Sequence, residues 1–256
     1  MASERKSNHP RRRISGILAS AAAGFALLLA LASCTGRLEA SIRGDMSARL
    51  ALRMEVPEAL AARVRQIGGI SAKSSLFDSQ ALKEEFDTRK SIFLVDVSSP
   101  SLESLTSVIW IPSMSAFAAD RSIVPAGMIE LKSIPAGSLP AQRELTVSIT
   151  RDNAAAAFAL FPGMNRKLID SLAPPALEEE PVTAAEYRMN LETVIIGRKT
   201  MPAFDACSID LSITAPRSIT SASGGSYQGQ VFKMKIPLFD LLTLEKPLRF
   251  TVRWAE

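Results

Sequence analysis

The chain has 256 residues, of which 47% are hydrophobic, so it can form a packed core and is not predicted to be disordered. Its formal net charge is +4, but five basic residues and one acidic residue precede Cys34. The rest is therefore formally neutral, and no nucleic-acid partner is expected. The single histidine, His9, also lies before Cys34, which excludes Ser-His-Asp and Cys-His catalysis and His-ligated metals from the remainder. We expect no catalytic residues, no cofactor and no metal ion.

The first 33 residues have the pattern of a bacterial export signal. A polar, basic segment, residues 1–13, precedes an uncharged apolar stretch from Ile14 to Ser33. The stretch ends in Leu31-Ala32-Ser33-Cys34, which resembles the lipobox of bacterial lipoproteins. This resemblance implies cleavage between Ser33 and Cys34 and two or three acyl chains, such as palmitate, on Cys34. An uncleaved membrane-spanning anchor is the alternative, because about 20 apolar residues suffice to cross a bilayer.

The predicted location is the bacterial cell envelope, with the domain outside the cytoplasm and held at a membrane by the lipid on Cys34. Thr35 is not the Asp that retains lipoproteins in the inner membrane of some bacteria, and the sequence leaves the choice of membrane open. We assign residues 34–37 to the lipidated N-terminus and a short tether, and residues 38–256 to a single domain. A helical insertion at residues 152–200 is the alternative organisation.

Apolar residues alternate with polar ones in the first part of the domain, which predicts β-strands. Leu38 to Ile42 and Ala48 to Val56 form a predicted hairpin around Gly44-Asp45. A helix is predicted to begin at Pro57 and to end at Gly68-Gly69. A helix capped by Asp78 or Ser79 follows, and then strands at Ile92 to Val97 and Leu105 to Ile111. The next predicted element is a hairpin that pairs Met128 to Leu131 with Leu145 to Ile149.

The middle of the chain is predicted to be helical and the last quarter to be β again. Asp152 is the predicted cap of one helix, and Thr183 and Glu186 have the spacing of a capping box. The helix that begins after Thr183 is predicted to run to about Arg198, and a further helix is predicted at Met164 to Leu172. The remaining predicted segments are strands at Cys207 to Ile213, Phe232 to Ile236 and Leu248 to Trp254, and a Gly/Ser-rich loop at Ser221 to Gly229.

The order of these elements favours an α+β fold. Hairpins near both ends of the chain are predicted to form one antiparallel sheet, and the central helices are predicted to cover one of its faces.

Several residues that can carry chemistry have simpler interpretations. Cys207 lies in an alternating apolar run, which favours a buried thiol over a nucleophile. Asp96 and the run Glu178-Glu179-Glu180 are expected to be solvated rather than catalytic or metal-binding. Lys132 and Ser148 lack the helical Ser-x-x-Lys spacing of Ser-Lys hydrolases.

Two other features invite a binding interpretation. Gly224 to Gly229 lacks the following Gly-Lys-Ser/Thr and helix of a phosphate-binding loop, so a hairpin loop is favoured. Lys233 and Lys235, with Arg249 and Arg253, either form a basic patch that faces anionic lipid or belong to an ordinary solvated sheet face.

Two further stretches carry a resemblance: Ala48-x-Leu50-x-Leu52 followed by a helix, and Ala215-Pro216 with Ser221 to Gly225, Gly229 and Val231. In these stretches the chain resembles bacterial envelope lipoproteins of the LppM type. This resemblance implies a surface lipoprotein that binds envelope lipids or glycolipids, and it brings no catalytic residues. The chain departs from this family in its long central helices and in ending at Trp254-Ala255-Glu256 without a C-terminal transmembrane helix.

Two functions are compatible with the sequence. The first is a non-enzymatic binding or interaction module for an envelope lipid or protein, which requires an apolar groove between helices and sheet. The second is a lipid-anchored hydrolase of envelope material, which requires two carboxylates that face each other in a cleft about 5 to 10 Å apart. The missing histidine and the scattered acidic residues favour the first.

Intact-mass spectrometry of the protein extracted from its own membrane tests the anchor. We expect a mature chain that begins at Cys34 and carries added acyl mass, and we expect the Cys34→Ala variant to lose both features. An uncleaved, unlipidated chain would instead identify Ile14 to Ser33 as a membrane span.

Overall fold

The computed structural model describes residues 35–135, 141–160, 169–170 and 172–256, and these residues belong to one compact unit. The export segment and the predicted cleavage and lipidation residues, Ser33 and Cys34, lie outside the described residues. Most of the helix predicted at Met164 to Leu172 also lies outside them.

The described strands form two sheets. In chain order the strands are β1 (Thr35–Ile42), β2 (Ala48–Glu55), β3 (Phe93–Ser98), β4 (Ser104–Ile111), β5 (Ile129–Ile134), β6 (Gln142–Ile149), β7 (Ser208–Thr214), β8 (Ile219–Ser223), β9 (Ser226–Gln228), β10 (Val231–Pro237) and β11 (Leu248–Ala255). The larger sheet has seven strands in the order β3-β4-β2-β1-β7-β10-β9, and the smaller has four in the order β5-β6-β11-β8.

Short helices connect the strands. They are α1 (Glu58–Gly68), α2 (Ser79–Asp87), α3 (Met114–Ala119), α4 (Arg151–Ala159), α5 (Ala184–Asn190), α6 (Met201–Asp205) and α7 (Leu238–Thr243), with a 3-10 turn at Pro175–Leu177 and a π-helical segment at Leu191–Ile195. No helix among the described residues is both long and apolar enough to cross a membrane.

The α+β class and the largely antiparallel pairing are confirmed. The two predicted hairpins form as β1 with β2 and as β5 with β6. The arrangement differs from a single sheet under helices, because the strands are divided between two sheets. Period-two alternation shows which side chains of a strand point inward, but the same alternation fits a helix layer or a second sheet as the opposing layer.

The seven-stranded sheet is built around β1. This strand pairs antiparallel with β2 and parallel with β7, so that Thr35 to Ser41 align with Ser208 to Thr214. Thr35 to Arg37, assigned to a tether from the sequence, are therefore the first residues of this central strand. The pairing of β1 with β7 joins strands from the first and last quarters of the domain into one sheet.

The predicted caps of three helices are confirmed. The Asp78 carboxylate accepts hydrogen bonds from the amides of Gln80 and Ala81 at the start of α2. Thr183 and Glu186 form a reciprocal capping box at the start of α5. Gly69 ends α1 in the left-handed region with φ of 61°.

Two helix boundaries were predicted wrongly. Thr150, not Asp152, is the residue that caps α4, and the Asn153 side chain accepts from the Thr150 amide. The helix that begins after Thr183 does not continue regularly to Arg198, because it changes to the π-helical segment at Leu191.

The Gly/Ser-rich segment Ser221 to Gly229 is also not a simple loop. Its residues form the end of β8 in the four-stranded sheet and all of β9 in the seven-stranded sheet. Gly224 and Gly225 are the two residues between these strands. The chain therefore crosses from one sheet to the other at these two glycines.

The crossing leaves no room for side chains. A Cβ on Gly224 would lie 2.4 Å from the Arg249 carbonyl oxygen, and a Cβ on Gly225 would lie 2.4 Å from the Lys233 carbonyl oxygen and 2.6 Å from the Phe232 ring. Phe232 is fully buried and stacks on Phe250 at 5.3 Å between ring centroids. The glycines are required because backbone atoms cannot move aside as a flexible side chain can.

Gly225→Ala is expected to lower the free energy of unfolding by about 2 kcal/mol, the usual scale for overpacking. Gly44→Ala is the matched control, because a Cβ there meets nothing within 4 Å, and we expect it to change stability by less than about 0.5 kcal/mol. Urea unfolding followed by circular dichroism measures both. Equal effects of the two substitutions would contradict the close crossing.

Candidate functional site

An apolar cavity lies between the two sheets. We call it the inter-sheet cavity; its volume is about 210 Å³. The seven-stranded sheet contributes inward-facing residues such as Leu50 and Ile109, and the four-stranded sheet contributes Val147 and Phe250. Helices α2 and α3 close it with Phe86 and with residues that include Met114 and Phe117. Ser107 is the polar residue among its described lining.

A second apolar cavity lies where β1 begins and β2 ends. We call it the end cavity; its volume is about 150 Å³. Gly36 lies at its β1 wall and Met54 at its β2 wall. The helices supply the remaining walls, with Leu60 and Val64 from α1, Phe158 from α4, Phe204 from α6 and Leu241 from α7.

The two cavities adjoin along the interior of the fold. Leu52, Ile149, Ala157, Ile209 and Leu241 line both of them. Apolar cavities of about 150 Å³ bind small hydrocarbons such as benzene. The shared lining residues place the two cavities side by side, an arrangement that suits consecutive segments of a flexible hydrocarbon chain.

Glu55 is the charged residue among the described lining of the end cavity. Its side chain is 59% exposed, and its Cα pairs with those of Thr35 in β1 and Ser104 in β4. Strand alternation places the Glu55 side chain beside Arg53, on the face of the sheet opposite to the lining residue Met54, so its carboxylate does not point into the cavity.

Two arginines of α1 hold the walls of the end cavity together. The Arg63 guanidinium donates to the carbonyl oxygens of Ile195 at 2.6 Å and Val194 at 2.8 Å, at the end of the π-helical segment. Arg65, which is 8% exposed, forms an ion pair of 2.8 Å with Glu103. Such charge-assisted contacts fix α1 against its neighbours.

Tyr187 fixes another part of this wall. Its hydroxyl donates to the carbonyl oxygen of Leu172, a lining residue of the end cavity, at 3.0 Å. Its ring stacks on Phe239 at 5.9 Å between centroids. Burial raises the pKa of the Tyr187 hydroxyl above its ordinary value, and the protonated hydroxyl is the donor in this hydrogen bond.

Cys207 is buried, as predicted, and lines the end cavity. Its Sγ donates to the Ala203 carbonyl oxygen at 3.3 Å. Asp96 is exposed on β3, and Glu178 to Glu180 are exposed after the 3-10 turn. Among the residues that the structure describes, no three Asp, Glu, Cys or His side chains are grouped as a metal would require.

Lys132 and Ser148 do not form a catalytic pair. The Lys132 ammonium lies 2.6 Å from the Glu130 carboxylate. This hydrogen-bonded ion pair raises the pKa of Lys132 above its ordinary value, which is the opposite of what a general base needs.

The four basic residues proposed as a patch lie on two sheets. Lys233 and Lys235 are exposed on β10, in the seven-stranded sheet, whereas Arg249 and Arg253 are on β11, in the four-stranded sheet. Arg253 forms an ion pair with Glu144 on the neighbouring strand. The four residues therefore do not share one sheet face, which gives no support to the basic-patch alternative.

The cavities could not be identified from the sequence. The sequence feature that relates to the cavities is the presence of small residues, Gly36 and Ala40, among the large apolar residues on the inward face of β1. That pattern also fits a filled core, since a small residue is compatible with close packing against a large neighbour.

Comparisons with known proteins show a similar solved structure but no similar sequence. No protein-family profile matches the chain, and no curated protein matches it. The folded domain of LppM from Mycobacterium tuberculosis, solved by NMR, is similar over 87% of this chain and 89% of that domain, with a TM-score of 0.35 and 8% sequence identity.

Proposed function

We propose that this protein is a lipid-anchored envelope lipoprotein whose domain binds the acyl chain of a lipid in the inter-sheet and end cavities. The observation that carries this proposal is the adjoining pair of apolar cavities between the two sheets and the helices. The lipobox-like Leu31-Ala32-Ser33-Cys34 supports the anchor, and an anchored domain operates where acyl chains are abundant.

The energetics of empty space favour a ligand. Fully enclosed apolar space of 150 Å³ would lower the free energy of unfolding by about 4 kcal/mol at roughly 24 cal/mol per Å³, which is the upper bound for the partly open end cavity. Folded domains have only about 5 to 15 kcal/mol of net stability. A bound hydrocarbon chain would offset this cost by restoring the missing contacts of the lining residues.

The composition of the lining separates binding from hydrolysis. The hydrolase hypothesis requires two carboxylates across a cleft, whereas Glu55 is the one carboxylate among the described residues that line either cavity. The apolar groove that the binding hypothesis requires is present. This supports acyl-chain binding as the function and gives no specific support to a hydrolase.

Filling the inter-sheet cavity tests the proposal. Ala40 on β1 lines this cavity, and a cavity of this size admits a benzyl group. Ala40→Phe is therefore expected to keep the fold while weakening binding of a fluorescent polyene fatty acid to the unlipidated domain at least tenfold, or about 1.4 kcal/mol.

Ala51→Phe is the matched control. Ala51 aligns with Glu39 on the neighbouring strand β1, so it faces the opposite side of the sheet from Ala40, and we expect unchanged affinity. Thermal unfolding checks that both variants fold. Failure of the unsubstituted domain to bind the fatty acid, or equal affinity of both variants, would refute acyl-chain binding in this cavity.

A further inference from the structure

The lipid anchor and the sheet are separated by almost no chain. Thr35 is already paired, with Glu55 on β2 and with Ser208 on β7. One peptide unit, about 3.8 Å between Cα atoms, joins Cys34 to Thr35. A mature protein acylated at Cys34 therefore has no flexible tether that would let its domain leave the membrane surface.

The position of Thr35 identifies which end of the domain the anchor holds. Five strands of the larger sheet align at this level, and we call this end of the domain the anchor end. Its aligned residues are Ser104, Glu55, Thr35, Ser208 and Pro237.

The end cavity lies at the anchor end. Gly36, Glu55 and Val56 line it, and Gly36 is two residues from the acylated position. The lipid on Cys34 has its acyl chains in the bilayer and its linkage at the boundary with the headgroups. This part of the cavity lining thus lies within a few residue lengths of the membrane interface.

We propose that the domain stands on the bilayer on its anchor end, with the end cavity open toward the membrane, so that the acyl chain it holds is taken directly from a lipid of that membrane. This inference rests on the proposed acyl-chain binding and adds the source and route of the ligand. The ligand class is a membrane phospholipid or glycolipid, whose chain enters at the end cavity and extends toward the inter-sheet cavity.

Two exposed apolar residues of one hairpin can report the orientation. Leu102, 42% exposed, lies in the turn between β3 and β4 at the anchor end, and Phe93, 48% exposed, lies at the other end of β3. Phe93 aligns through Trp110 and Arg49 with Ser41, six residues along β1 from Thr35. The two sites are therefore about 20 Å apart along the strands, at about 3.3 Å per residue.

The orientation is tested on the full lipidated protein in phosphatidylcholine–phosphatidylglycerol vesicles (3:1) that contain a headgroup spin-labelled lipid. Leu102→Cys and Phe93→Cys variants carry an environment-sensitive dye, and the unsubstituted chain, whose Cys207 is 1% exposed, is the labelling blank. We expect quenching at position 102 at least threefold stronger than at position 93. Equal quenching, or stronger quenching at position 93, would overturn the proposed orientation.

The route is tested by lengthening the tether. Ten Gly/Ser residues inserted between Cys34 and Thr35 have an r.m.s. length of about 17 Å and release the anchor end while leaving the lipobox and cavities unchanged. In the same vesicles, supplied with a phospholipid that has a photoactivatable acyl chain, we expect crosslinking to cavity residues to fall at least threefold. Undiminished crosslinking would overturn direct loading from the membrane.

A parallel assay separates this inference from the proposed function. Unlipidated domain is titrated with the soluble fluorescent fatty acid. Binding there, combined with crosslinking that the linker leaves unchanged, overturns the route alone. No binding there and no crosslinking in vesicles overturns both. Binding by the unlipidated domain but not by the lipidated protein would mean that the anchor's own acyl chain fills the cavity, which also overturns the route.

Discussion

The fold depends on the simultaneous pairing of β1 with β2 and β7. β1 is the middle strand of the seven-stranded sheet, and its parallel partner β7 comes from the other end of the domain. Parallel strands require a long crossover connection, and here the crossover contains the four-stranded sheet's first hairpin and most of the helices. Closing β1 against β7 therefore encloses the cavities and also places Thr35, the residue that follows the predicted lipidation site, in the central strand of the sheet.

The same pairing joins the structure to the proposed function. Strand alternation in β1 directs Leu38, Ala40 and Ile42 toward the four-stranded sheet and leaves Arg37 and Glu39 exposed. Ile209 packs closely against Gly36, whereas the small side chain of Ala40 lines the inter-sheet cavity. Because Thr35 directly follows Cys34, the position that the lipobox-like sequence predicts to be acylated, the end cavity begins beside the predicted anchor rather than at a distant part of the surface.

Features encoded by neighbouring residues were predictable from the sequence. The hairpins, the Asp78 cap and the Thr183–Glu186 capping box depend on residues close in the chain, and their patterns are specific. The partition into two sheets and the β1–β7 pairing depend on contacts between distant segments, which alternation does not encode. Gly224-Gly225 was misread because its composition suits a loop, whereas its function is a close crossing between sheets. The cavities depend on what opposes Ala40, so they also required the structure.

Binding of an acyl chain in the inter-sheet cavity is tested most directly by methyl NMR of the isotopically labelled domain with a spin-labelled stearic acid. Residues that line the inter-sheet cavity, such as Leu50, Ile109 and Val147, should show methyl signals that broaden selectively. The exposed Val95 and Val194, at 65% and 69% exposure, should keep theirs. Broadening of the exposed methyl groups with sharp signals from the lining would contradict the account, because it would place the hydrocarbon chain on the surface.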